Sequence, residues 1–78
     1  MNLRKIVDDI HESRLKQLAD MREAHIRLFT SIPQPYAAAV QQKIDRKIEE
    51  VNAEFDRLVA AEMADYKEDI IEIERICK

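Results

Sequence analysis

The chain has 78 residues, 37% of them charged, with no glycine or tryptophan, two prolines and one cysteine. That composition excludes a β-rich fold and an internal disulfide framework, and it suits long helices with solvated faces. The net charge of −3 is split, +1 over residues 1–30 and −4 over residues 31–78, so an electrostatic partner is expected to be a basic protein and not nucleic acid.

Residues 1–78 read as a single helical-hairpin domain. A chain this short sits near the lower limit for a self-sufficient core and usually needs a staple. With one cysteine, oligomerisation is the expected remedy. A lone Cys77 and the lack of a signal-peptide pattern point to a reducing, cytoplasmic setting. No stretch approaches the ~18 consecutive apolar residues of a membrane span.

The first helix is predicted over about residues 3–30. Leu3, Ile6, Val7, Ile10, Leu18, Met21, Leu28 and Ile32 form one arc when residues advance ~100° each, with Lys5, Asp9, Lys16, Asp20, Glu23 and Arg27 opposite. Ser13, Arg14 and Gln17 interrupt that arc, and His11 and His25 lie at its edge. Asp8 and His11 have the i, i+3 spacing of metal ligands, but a bundle metal site needs several converging carboxylates and histidines. A partly exposed helix histidine is the preferred reading, and no metal or cofactor is expected.

Pro33 and Pro35 punctuate the chain, and residues before proline leave the helical region, so a turn is predicted at about 31–34. Pro35 then opens a second helix, predicted over about 35–77 and roughly 64 Å long. A connection this short makes the two helices antiparallel neighbours. The fold class expected is an all-α antiparallel hairpin with unequal arms. Pairing outward from the turn brings Leu3 level with Ala64, leaving residues 65–78 to project beyond the first helix.

The long helix repeats every eleven residues: Ile44, Phe55, Tyr66 and Cys77; Ile48, Val59 and Ile70; Val51, Glu62 and Ile73. Eleven residues at ~3.67 per turn favour nearly straight packing over a left-handed supercoil. Tyr66, Ile70, Ile73 and Cys77 continue the stripe into the projecting segment, and covering them calls for a second copy in a four-helix-type bundle. The expected dimer seam comprises Arg14, Phe55, Val59, Glu62, Tyr66, Ile70, Ile73 and Cys77. Glu62 and Arg14 break their stripes, and on this pairing they meet only between chains; otherwise both reach to solvent from the stripe's edge.

A docking surface is expected on the same segment. Glu62, Asp65, Asp69 and Glu72 form an acidic ridge beside the apolar line Tyr66, Ile70 and Ile73, a combination suited to a basic protein partner, among them one that handles nucleic acid. A solvated outer face is the plain alternative. The basic cluster Lys43, Arg46 and Lys47 is interleaved with Asp45, Glu49 and Glu50, so it forms no clean phosphate-binding face. No nucleophile motif, glycine-rich phosphate loop or Cys/His ligand spacing occurs, and catalysis is not expected. The function expected is therefore a non-catalytic adaptor, assembly factor or inhibitor, with a purely structural coiled-coil subunit as the first rival and a nucleic-acid-binding helical dimer as the second. Small acidic helical inhibitors encoded by phages have this general composition, a likeness of style that no motif carries.

Overall fold

The computed structural model describes residues 2–32 and 37–76, and it is an all-α hairpin of two helices packed against each other. Helix α1 runs Leu3–Thr30 and helix α2 runs Ala38–Ile76. Asn2 caps α1: its backbone is extended, and its side-chain oxygen accepts from the Lys5 N–H at 3.2 Å, satisfying one of the orphan donors of the first turn. At the other end the Ser31 N–H returns to the Arg27 carbonyl at 3.0 Å, while the Thr30 and Ser31 hydroxyls donate to the Arg27 and Leu28 carbonyls. The Thr30 hydroxyl is thus a second donor to a carbonyl that the Ser31 N–H already reaches, and the Ser31 hydroxyl serves the next one along the last turn.

Helix α2 begins later than Pro35. Ala37 lies outside it, and the Ala37 carbonyl accepts from Val40 at 2.9 Å and Gln41 at 3.1 Å. Pro33, Pro35 and Cys77, on which the expected turn and helix end fell, lie outside the described residues. Among the described residues no helix is long and apolar enough to cross a membrane.

The eleven-residue pattern of α2 faces α1. Ile44 and Phe55, one period apart, are the two buried side chains among the described residues, at 7% and 6% exposure, and Ile48, Val51, Val59, Tyr66, Ile70 and Ile73 are half-buried along the same seam. The inner face of α1 differs from the expected arc. Val7, His11, Leu15, Leu18, Arg22, Ile26 and Phe29 turn toward α2, whereas Leu3, Ile6, Ile10, Met21, Leu28 and Ile32 are exposed. The apolar residues of α1 form two stripes rather than one: the hairpin covers Val7 and Leu18 of the expected arc together with Leu15, Ile26 and Phe29, which that arc left out.

The axial pairing also differs. Asp8 meets Tyr66, His11 meets Glu62 and Arg22 meets Asp56, so Leu3 lies nearer the level of Ile70 to Ile73 than of Ala64. The projecting tip expected from residue 65 onward is reduced to the last turn or so of α2. Seven positions separate Thr30 from Ala38 rather than the four expected.

The hairpin is a rod, 62 × 18 × 6 Å between Cα atoms, and it leaves 6432 Å² accessible. A compact monomer of 9.2 kDa would expose about 4,900 Å², so about 1,500 Å² is left in excess. One seam with two buried side chains is a slender core for a stable monomer.

Within the seam, the Asn52 side-chain oxygen is buried without a hydrogen-bond partner. Stranding such an acceptor costs about 1–3 kcal/mol. Asn52→Leu is therefore expected to stabilise the hairpin by about 1 kcal/mol, read as a higher thermal midpoint by circular dichroism; an unchanged or lower midpoint would show that the amide is satisfied.

Candidate functional site

Midway between the centre of the rod and its free end, the apolar seam gives way to a polar layer. His11 and Glu62 place imidazole Nδ1 3.1 Å from carboxylate Oε1, with side chains only 12% and 11% exposed. Arg14 brings a guanidinium nitrogen to 3.5 Å from the other Glu62 oxygen. The His11 ring stacks on Tyr66, centroids 4.0 Å apart and planes inclined by 16°. The Tyr66 hydroxyl donates to Asp8 Oδ1 at 2.5 Å, and Arg4 holds the same oxygen at 3.3 Å. Glu62 thus meets Arg14 within one chain, not only between chains, because α1 is displaced along α2 relative to the tightest possible turn.

The charges here are mutually satisfied. The Tyr66 hydroxyl, with Arg4 beside it, holds the Asp8 carboxyl below the usual carboxylate range, and the Asp8 carboxylate in turn raises the Tyr66 phenol. A lowered carboxylate contributes stability above its unfolded pKa and loses it as pH falls through the folded value. Tyr66→Phe should return Asp8 toward the ordinary range and lower the thermal midpoint at neutral pH. That deficit should close in acid below the carboxylate range; a deficit unchanged down to strong acid would mean that Asp8 plays no part in it.

The niche over this layer, lined by Val7, Ile10, His11, Arg14, Glu62, Tyr66 and Asp69, encloses about 100 Å³. Ligand sites usually offer about 300–1,000 Å³. Among the described residues no three His, Cys, Asp or Glu side chains are grouped to hold a metal ion. What the layer does chemically is fix register, since sliding α1 by one turn would part Glu62 from His11 and Arg14, and Asp8 from the Tyr66 hydroxyl. A double-mutant cycle with His11→Leu and Glu62→Met should give a coupling of about 1 kcal/mol in unfolding free energy, and additive losses would remove the pair as a register lock.

Beside the polar layer runs an uncovered face. Arg14, Gln17 and Met21 of α1 and Leu58, Ala61 and Asp65 of α2 line one open groove, continued toward the free end by Ile10 and Asp69. Steps of eleven residues carry that face along each helix: Ile10, Met21 and Ile32; Gln17 and Leu28; Lys47, Leu58 and Asp69; Lys43, Glu54, Asp65 and Ile76. Of the eleven large apolar side chains exposed among the described residues, Leu3, Ile10, Met21, Leu28, Ile32, Val40, Leu58 and Ile76 belong to it. The opposite face carries a second apolar groove between Leu15, Ala19, Ile26 and Val59, with Arg22 and Glu23 at its rim, of about 340 Å³ against about 260 Å³ for the first.

The residues expected to bind a partner divide. Asp65, Asp69 and Glu72 are exposed along the uncovered face, whereas Glu62 and Tyr66 are engaged by α1 and Ile70 and Ile73 are half-buried. Of the expected dimer seam, Phe55 is buried against α1, Val59 is half-buried and Arg14 borders the open groove. Sequence reasoning missed the apolar part of this face, Leu3, Ile10 and Met21, by assigning it to the hairpin seam; the signal was the second arc through Leu15, Ile26 and Phe29. The chain matches no protein-family model, and no curated protein or solved structure matches it.

Proposed function

We propose that the chain is a non-catalytic protein-binding module, a small adaptor, assembly factor or inhibitor. It associates with its own copy and docks on a basic protein partner through the acidic end of its uncovered face. The observation that carries this is the juxtaposition of Asp65, Asp69 and Glu72 on α2 with exposed Leu3 and Ile10 on α1. An apolar strip bordered by carboxylates suits an amphipathic basic helix, its apolar side on the strip and its cations on the ridge. Glu62 and Tyr66 support that surface from beneath by fixing the helices in register, and Ile70 and Ile73 pack between them.

The small niche and the satisfied charges of the polar layer favour binding over catalysis. A second possibility, a structural coiled-coil subunit whose sole partner is its own copy, is favoured by the excess of accessible surface.

Immobilised wild-type chain should retain basic proteins from its host's lysate at moderate salt, identified by mass spectrometry. The variant Asp65→Lys/Asp69→Lys/Glu72→Lys should lose them while keeping its helical circular dichroism. Equal capture by the reversed variant would overturn the docking surface, and a dimer that captures nothing would leave the structural subunit.

A further inference from the structure

We infer that the uncovered face is closed by a second copy of the chain in an antiparallel arrangement, about a two-fold axis through Leu58 that brings Lys47 of each chain to Asp69 of the other. The arrangement rests on the self-association proposed above and is independent of the basic partner.

Area gives the first reason. The excess of about 1,500 Å² per chain, counted on both chains, falls in the 2,000–5,000 Å² class of obligate homodimers. The stripe of Leu3, Ile10, Met21 and Leu28, with Val40, Leu58 and Ile76 beside it, supplies the apolar content that such interfaces need. Each helix would then offer one stripe to its hairpin neighbour and another to the second copy, the requirement for a place in a four-helix bundle.

Charge gives the direction. On the uncovered face α2 is basic near the turn and acidic near the free end: Lys43 and Lys47 at one end, Asp65, Asp69 and Glu72 at the other. Lys47 and Asp69 lie eleven residues either side of Leu58, about 16 Å along the helix axis. A two-fold at Leu58, perpendicular to the rod and within the interface, lays α2 on α2 of the second copy running the opposite way. Lys47 then faces Asp69, Lys43 comes within one residue of the level of Glu72, and Glu54 comes to the level of Glu62, whose carboxylate His11 and Arg14 already hold.

Lys47 already donates to Glu50 at 3.3 Å, an exposed pair that leaves its ammonium with further N–H groups to donate to a second carboxylate. The other two-fold, along the rod, would lay the carboxylates of α2 over Leu3 and Ile10 of the second copy. Arg14, already on Glu62, is the one cation on that part of the α1 face. That alternative desolvates three carboxylates without matching them.

The test uses the full chain with Cys77→Ser. Light scattering across a dilution series should find a dimer, and Leu58→Cys should form an interchain disulfide under mild oxidation. Lys43→Glu/Lys47→Glu and Asp65→Lys/Asp69→Lys should each weaken self-association by about 100-fold, because like charges then meet at both ends. Mixed in equal amounts, the two charge variants should pair as tightly as wild type, since every contact is complementary again.

A wild-type chain that stays monomeric would overturn self-association itself. A dimer in which Leu58→Cys fails to cross-link, while a mixture of Leu58→Cys and Met21→Cys chains does, would place the axis along the rod. Charge variants that do not rescue each other would show that Lys47 and Asp69 do not meet.

Discussion

Two helices have one seam between them, but α1 carries two apolar stripes, and Val40, Leu58 and Ile76 of α2 lie off its inner face. That shortage of cover governs the rest of the structure. A hairpin can bury one stripe from each helix, and it does so around Ile44 and Phe55; the second stripe on α1, with Leu58 and its neighbours on α2, stays open. Leaving large aliphatic side chains in water forgoes about 1.5–3 kcal/mol each, a penalty that grows with every residue of such a long rod.

The polar layer at Asp8, His11, Arg14, Glu62 and Tyr66 sets the second constraint. Apolar seams with an even eleven-residue repeat tolerate sliding, because each period offers the same surface. Directional contacts do not: Glu62 needs His11 and Arg14, and Asp8 needs the Tyr66 hydroxyl. Together they trade some apolar burial for a single axial position, and that position decides which exposed residues end up side by side. Ile10 borders Asp69 because of contacts made elsewhere.

Self-association and partner docking, as proposed, use the same end of the same face. In an antiparallel dimer the carboxylates of one chain are matched by lysines of the other, so a basic partner must offer cations in better number or geometry to displace them. Selection by competition of this kind rejects weakly basic surfaces, since exchanging one lysine for another gains little.

The existence of both helices, the antiparallel hairpin and the inner face of α2 were legible in the sequence. Those features follow from local periodicity: with no glycine and no proline after Pro35, an apolar residue every three or four positions leaves the chain one solution. The acidic ridge of Asp65, Asp69 and Glu72 was legible for the same reason. The rotation of α1 was not. Its two stripes lie about 100° apart on one helix, a separation that a single residue step spans, so a helical projection merges them into one broad arc without saying which half meets α2. Nor was the register, which depends on His11 finding Glu62 and Asp8 finding Tyr66, pairs separated by 51 and 58 residues. Periodicity belongs to each helix alone, whereas rotation and register belong to the pair, and only packing one against the other could settle them.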